Sequence, residues 1–228
     1  MIKILLFPML MLIAFSSFAQ TAYIGKSDPD AKKILDYVSA KFKTYKSVVA
    51  HFTLKIENSA GKALGTKSGI INMEGSKYRI SVPGQEIYSD GTNIWTYDKS
   101  ANEVQITQFD PSTNSITPQK MFTNFYDKDF LYKLNGEVKK GNKTLEEIEL
   151  TPVDKTKSFF KVLVDIDKSA KSIVSSEVFQ KTGDRYLYTI TSMKTNTSIP
   201  DALFVFNSKD YPKVEVIDLR KIVLLELL

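Results

Sequence analysis

The 228-residue sequence contains no cysteine and only one histidine and one tryptophan. Without cysteine the chain can form no disulfide, thiolate nucleophile or thiolate metal site, and it lacks the residue that a lipid-modified bacterial protein carries at its cleavage site. One histidine also excludes a two-histidine metal site. His51 alternates with Phe52 along a strand-like segment, so we expect it to face solvent or a turn rather than to act in catalysis.

Catalytic motifs are equally scarce. The sequence has no Gly-rich phosphate loop, no nucleophile elbow and no carboxylate pair that turns do not explain. Asp90 precedes Gly91, an arrangement typical of a turn rather than of a catalytic acid. We therefore predict a protein that is not an enzyme and that needs no metal or cofactor. The alternative, a lipid hydrolase, requires His51 to meet Ser and Asp side chains in space.

Long apolar runs are limited to the N-terminus. Residues 4–15 are apolar apart from Pro8, follow Lys3 and precede Ser17-Phe18-Ala19, which together predict a signal peptide cleaved after Ala19. We expect a secreted product with a single domain over residues 20–228. The run is too short to span a bilayer, so the sequence favours a signal peptide over the alternative of a membrane anchor.

Charge of either sign is moderate. The formal net charge is +5, and the lysine surplus is spread along the sequence with acidic residues nearby. This pattern is typical of solvated surface and argues against a nucleic-acid partner. A hydrophobic share of 43% predicts a globular domain with a real core.

One amphipathic helix precedes the strands. Asp28-Pro29 predicts a helix start, because aspartate caps helices and proline suits the first helical position. The apolar residues at helical spacing are Ile34, Leu35, Val38, Phe42 and Tyr45. The other side is polar and Lys-rich, so we expect this helix to cover the sheet that follows.

From residue 48 the apolar period changes to two, which predicts strands. The clearest hairpin turns at Asp90-Gly91, and its outgoing strand carries Trp95 and Tyr97 on one side. Strands are predicted at residues 51–56, 70–73, 77–82, 86–89, 93–97, 103–107, 132–134, 145–151, 159–167, 173–180, 185–193, 203–206 and 214–220. Short turns between them predict an antiparallel meander that curls toward a barrel.

A second apolar segment interrupts the strands at residues 119–130. Met121, Phe122, Phe125 and Tyr126 are spaced as in a short amphipathic helix. Such a helix is either a plain connection or a lid over the mouth of the barrel, where methionine and phenylalanine adapt to variable apolar ligands. The apolar tail at residues 222–228 has no assigned role.

The order of these elements carries a resemblance to a known family. The matching residues are the strand 68–73, Lys77-Tyr78-Arg79, the hairpin 87–98 with its Ser-Asp-Gly-x-x-x-Trp-x-Tyr-Asp pattern, the strand 102–106, Phe204-Val205-Phe206 and the terminal segment 211–220. The chain resembles the periplasmic outer-membrane lipoprotein carrier proteins, the LolA-like family, in particular its Bacteroidetes-type branch. The resemblance covers nearly the whole mature chain.

The resemblance implies a mainly β fold with a few helices, in which an open, unclosed antiparallel β-barrel is covered by an N-terminal helix and an inserted lid helix. It implies a monomeric periplasmic chaperone that takes acylated lipoproteins from an ATP-driven exporter in the inner membrane and delivers them to an acceptor at the outer membrane. A periplasmic lipid-binding sensor and a carrier of another lipid remain as alternatives.

Strand alternation and the resemblance together give a candidate site, for which core packing is the alternative at each position. The predicted lipid-binding residues are Phe52, Leu54, Ile56, Ile71, Met73, Tyr78, Ile80, Val82, Trp95 and Tyr97. The predicted helix cover is Ile34, Leu35, Val38 and Phe42, and the predicted lid is Met121, Phe122 and Phe125. Better-studied members hold the lid with an Arg-Pro pair after the strand matching residues 70–73. This chain has Glu74-Gly75-Ser76 there, so that role is not carried over to any residue.

Overall fold

The computed structural model describes residues 26–110 and 126–220, and these two ranges contain two helices and twelve strands. The elements are α1 (Pro29–Lys43), β1 (Ser47–Glu57), β2 (Ala63–Glu74), β3 (Lys77–Val82), β4 (Gln85–Ser89), β5 (Asn93–Asp98), β6 (Glu103–Gln108), α2 (Tyr126–Asp129), β7 (Phe130–Lys140), β8 (Lys143–Pro152), β9 (Phe159–Asp167), β10 (Ser172–Gln180), β11 (Arg185–Thr195) and β12 (Glu215–Asp218). Two 3₁₀ turns, Asp201–Phe204 and Ser208–Asp210, lie between β11 and β12.

All twelve strands belong to one sheet, in the order β12-β6-β5-β4-β3-β2-β1-β11-β10-β9-β8-β7. Strands β1 to β6 form one antiparallel meander and β7 to β11 form another, and β1 joins the two by pairing with β11. The short β12 adds to β6 in parallel. The edge strands β7 and β12 do not pair with each other, so the sheet stays unclosed over the described residues. This confirms the predicted fold class, an open and mostly antiparallel barrel with a covering N-terminal helix.

The helix α1 starts where the sequence predicts. Asp28 is its N-cap and accepts a hydrogen bond from the Asp30 amide at 2.9 Å, and Pro29 occupies the first helical turn. The second Asp28 carboxylate oxygen accepts from the Leu134 amide of β7 at 3.1 Å, so one side chain joins the helix start to the sheet edge. No helix within the described ranges is both long and apolar enough to cross a membrane.

The strand register separates the sheet into two faces. Helix α1 packs on one face through Ala31, Leu35 and Val38, which lie against apolar residues of β7, β8 and β9. We call this the inner face and the opposite one the outer face. Since side chains paired across antiparallel strands point to the same side, the register assigns every strand residue to one face.

Three sequence predictions about elements are wrong. Residues 203–206 form no strand, because Asp201–Phe204 is a 3₁₀ turn that buries Phe204 completely. Strand β7 does not end at residue 134 as predicted but runs to Lys140, and Gly136 sits inside it at a register irregularity, with φ of 129°. Strand β2 begins at Ala63, well before the predicted start at residue 70. The predicted signal peptide, the lid residues Met121, Phe122 and Phe125, and the tail 222–228 lie outside the described residues.

Candidate functional site

The inner face is mainly apolar, with Lys67 opposite Leu54 and Ser176 opposite Tyr188 among its polar exceptions, and different parts of it are covered to different degrees. Under α1, a fully buried cluster joins the helix to β7, β8 and β9 and contains Tyr132, Ile148, Leu150, Val164 and Ile166. Of the predicted cover residues, Leu35 and Val38 are buried here and Ile34 packs against this cluster from its edge. Helix α1 therefore covers the β7–β9 side of the inner face.

A second buried cluster lies where α1 ends. Phe42 and Tyr45 contact each other edge to face, with ring centroids 5.9 Å apart, and pack against β1, β2 and β3. Three predicted lipid-binding residues, Ile71, Met73 and Tyr78, are buried in this cluster together with Val48 and Ala50. At these three positions the geometry is that of core packing.

The rest of the inner face is only half covered. Phe52, Leu54, Ile56, Ile80 and Val82 belong to the predicted set, all point to the inner face, and all keep part of their surface exposed. The register sets their neighbours: Phe52 pairs with Ile190, Leu54 with Tyr188 and Ile56 with Tyr186. These five residues form the centre of an apolar surface that the described part of the chain leaves open.

Sequence reasoning missed the β9, β10 and β11 side of this surface. The missed residues, all half-buried on the inner face, are Val162, Val178, Tyr186, Tyr188 and Ile190. Burial, and to a lesser degree the neighbouring Tyr186, raises the pKa of the Tyr188 hydroxyl. Period-two spacing of Tyr186, Tyr188 and Ile190 could have identified them from the sequence. A narrow crevice lined by Phe42, Ile173, Ile190 and Met193 continues the surface beside the end of α1.

The predicted residues Trp95 and Tyr97 lie on the other face. On the inner face, Tyr78 pairs with Ser89. The adjacent residues Arg79 and Tyr88 therefore point to the outer face, where they pair with each other, and Tyr88 pairs in turn with Trp95. Both aromatic residues are buried under the C-terminal segment, residues 201–214. There Phe206 lies 5.4 Å from Tyr97 between ring centroids. The set predicted for one cavity is thus divided between the two faces of the sheet.

Beneath the C-terminal segment the outer face holds a charged cluster. Glu86 is buried and accepts from Arg79 Nη2 at 2.7 Å and from the Tyr88 hydroxyl, and Lys99 Nζ lies 2.7 Å from its second oxygen. Burial acts to raise the pKa of the Glu86 carboxyl, but the hydrogen bonds from Lys99, Tyr88 and Arg79 outweigh it and lower the pKa to about 2. Arg79 is therefore engaged on the outer face, away from the inner surface.

The two residues considered for catalysis lie in different parts of the sheet, His51 on β1 and Asp90 in the turn between β4 and β5. His51 is exposed on the outer face, in register with Ile70 and Ser192. Asp90 is a turn residue, since its carboxylate accepts from the Thr92 and Asn93 amides, both at 2.7 Å. Within residues 26–110 and 126–220, no group of three Asp, Glu or His side chains could hold a metal ion.

The comparisons with known proteins agree with this architecture. One relative, the outer-membrane lipoprotein carrier protein of Cupriavidus necator, is 28% identical over 202 residues, covering 85% of this chain and 93% of the relative. The protein of the same description from Cupriavidus taiwanensis is 27% identical with the same coverage. An uncharacterized conserved protein from Thermus thermophilus has the same fold, with a TM-score of 0.56 at 14% identity, over 83% of this chain and 99% of its own. Because residues 43–207 match the family described as "Outer membrane lipoprotein carrier protein LolA", the chain belongs to the LolA family.

Proposed function

We propose that this protein is a periplasmic carrier that binds the acyl chains of lipoproteins on the half-covered inner face and carries them from the inner to the outer membrane. The observation that supports this best is the open row of Phe52, Leu54 and Ile56 beside Tyr186, Tyr188 and Ile190. A contiguous set of half-exposed apolar side chains on one face of a sheet is the kind of surface that can take up an apolar ligand. Membership of the LolA family supports acylated lipoproteins as the cargo class.

Incomplete burial of the bound acyl chains suits a carrier that must also release its cargo. Burial of an acyl chain contributes about 0.8 kcal/mol per methylene. Complete burial of about 30 methylenes would therefore exceed the practical ceiling of about 18–21 kcal/mol for non-covalent affinity. A surface whose side chains stay half exposed binds the chains less strongly, which permits transfer to a second site.

The export of the protein to the periplasm and its partners there are part of the same proposal. Residues 1–19 direct export and are removed after Ala19, which leaves one domain over residues 20–228. The protein then acts as a monomer in the periplasm, without an enzymatic step and without nucleic acid. An ATP-driven exporter in the inner membrane supplies acylated lipoproteins, and an acceptor at the outer membrane receives them. Met121, Phe122 and Phe125 form the lid in this scheme.

Co-purification from the periplasm of a lipoprotein-producing Gram-negative host tests the proposal. Mass spectrometry under non-denaturing conditions should find one acylated lipoprotein per protein molecule. Leu54→Asp should abolish this complex, since it places a charge in the open inner surface. Ile70→Asp is the matched control: Ile70 lies on the neighbouring strand, is exposed on the outer face, and should leave the complex intact.

Two outcomes would overturn the proposal. Free phospholipid as the bound species, with lipoprotein sorting unchanged after gene removal, would indicate a lipid sensor or a carrier of another lipid. Equal loss of cargo in Leu54→Asp and Ile70→Asp, with both variants folded, would show that the inner face is not the binding surface.

A further inference from the structure

Three hairpin turns meet at one end of the sheet. They connect β1 to β2, β8 to β9 and β10 to β11, and with their flanking residues they comprise residues 57–64, 153–161 and 180–185, which we call the rim. The Lys181 amide donates to the Ser158 carbonyl at 2.8 Å, and a Cβ on Gly183 would lie 2.6 Å from the Cβ of Ser59. The three turns therefore form one continuous surface, although they are far apart in the sequence.

The rim exposes large apolar side chains. Leu64, Val153 and Phe160 are 60%, 53% and 49% exposed, respectively. Two of them occupy strand irregularities. Ile56 pairs with Gly65 and Glu57 with Ala63, which leaves Leu64 as the extra residue; Phe179 pairs with Lys161 and Gln180 with Phe159, which leaves Phe160 as the extra residue. Such bulges redirect a side chain out of the regular alternation, so the fold itself turns both residues outward.

The same surface is basic. The rim holds six basic residues, Lys62, Lys155, Lys157, Lys161, Lys181 and Arg185, and three acidic ones, Glu57, Asp154 and Asp184. The Asp154 carboxylate is engaged in its own turn by the Thr156 amide at 2.8 Å, and Glu57 lies 2.7 Å from Lys55. Of the basic residues, Arg185 lies 3.7 Å from Glu177, whereas Lys155 and Lys181 donate to backbone carbonyls and so keep their charge unneutralised. Excess positive charge around outward apolar side chains complements a surface that is anionic outside and apolar beneath.

We propose that the rim docks on the surface of a bilayer that contains anionic phospholipid, with Leu64 and Phe160 entering the headgroup region and the lysines facing lipid phosphates. Basic residues near an anionic membrane and apolar side chains buried at its interface both favour such binding. Ile56, Tyr186 and Val178, one pairing step inside the rim, are the outermost row of the inner surface. Docking would bring that row close to the lipid, but membrane binding does not depend on the carrier role.

A single labelled cysteine can test this docking, because the chain has no other cysteine. Phe160→Cys and Val216→Cys are matched positions, since both native residues are 49% exposed, and Val216 lies outside the rim on β12, the edge strand beside β6. Each variant, purified from the periplasm, is labelled with an environment-sensitive fluorophore. It is then mixed with vesicles of equal phosphatidylglycerol and phosphatidylcholine, with or without nitroxide-labelled lipid.

The label at position 160 should shift to the blue and be quenched by the nitroxide lipid, while the label at position 216 should change little. Vesicles of phosphatidylcholine alone should produce a weaker response at both. Equal responses at the two positions, or none, would overturn the proposal. A response at position 160 to an acidic peptide but not to the vesicles would also overturn it and indicate a protein partner.

Charge reversal provides a second measurement on the otherwise native chain. Lys62→Glu with Lys181→Glu should weaken sedimentation with the anionic vesicles by at least about tenfold, because each basic residue near the surface adds to the binding. Lys133→Glu with Lys209→Glu makes the same charge change at exposed positions outside the rim and should have a much smaller effect. Equal weakening by the two pairs would show that net charge alone causes the effect and would contradict docking through the rim. Measuring lipoprotein co-purification with the same Lys62/Lys181 variant distinguishes loss of membrane docking from loss of the carrier function.

Discussion

The hydroxyl oxygens of Tyr88 and Tyr211 lie 2.7 Å apart, and this hydrogen bond joins β4 to the C-terminal segment across the outer face. The Tyr211 ring stacks on Phe206 with centroids 4.5 Å apart and contacts Tyr97 at 4.6 Å. Tyr88 also donates to the buried Glu86. One residue pair therefore connects the aromatic packing of the C-terminal segment to the charged cluster beneath it.

Replacement of Tyr211 should separate these two contributions. Tyr211→Phe removes only the hydroxyl, and we expect a loss of about 1 kcal/mol in the free energy of unfolding. Tyr211→Ala also removes the ring contacts and should cost about 2–4 kcal/mol. Urea unfolding measures both. Tyr37→Phe, on an exposed helix position, is the control and should change stability by less than about 0.5 kcal/mol. Equal effects of the two Tyr211 variants would contradict the role assigned to its ring.

Glu86 should make stability depend on acid pH. Its folded-state pKa of about 2 lies below the ordinary value of 4.5, so its contribution is complete above pH 4.5 and is lost as the pH falls toward 2. The contribution is at most on the order of 3 kcal/mol, because solvent screens part of the interaction with the half-exposed Lys99. We expect the stability difference between the native chain and Glu86→Gln to be largest near pH 7 and to shrink between pH 4.5 and 2. Urea midpoints across this range measure it, and a difference that does not vary with pH would refute the prediction.

The absence of a side chain at Gly69 should determine how much room the inner surface leaves for a ligand. A Cβ at this position would lie 2.5 Å from the Phe52 ring and 2.9 Å from Val82, so Gly69→Ala must displace side chains of the candidate site. We expect a loss of about 1–3 kcal/mol in stability and weaker binding of a fluorescent fatty-acid probe. Gly65→Ala on the same strand is the control, because nothing lies within 4 Å of its Cβ. Unchanged probe binding in Gly69→Ala would argue against acyl chains at Phe52.

Asp28 should couple the covering helix to the sheet edge. Asp28→Ala removes the cap of α1 and leaves the Leu134 amide without its acceptor, for which we expect a loss of about 1–2 kcal/mol or slightly more. Amide hydrogen exchange should accelerate at Leu134 as well as in the first turn of α1. Asp30→Asn, which alters an exposed first-turn residue, should not change exchange at Leu134. Acceleration of exchange confined to the helix would show that the hydrogen bond between Asp28 and the Leu134 amide does not contribute to stability.

Local patterns identified most of the elements because they depend on neighbours in the chain. The helix start at Asp28-Pro29, the turn at Asp90-Gly91 and the period-two strands are local features, and the structure confirms them. The composition of residues 203–206 predicts a strand, whereas Asp201–Phe204 form a 3₁₀ turn that packs beside β3 and buries Phe204. Tertiary packing overrides weak local preference at that point.

The sequence alone determined the class of the protein: a mainly β domain with a capped amphipathic helix, no cysteine chemistry and the family pattern around Trp95. Only the tertiary structure decided which apolar residues share a face, because alternation orders each strand but the register between strands combines them. It moved Trp95 and Tyr97 away from Phe52 and brought Tyr186 and Tyr188 beside it. It also gathered lysines that look scattered along the sequence into one rim, since three distant hairpins turn at the same end of the sheet.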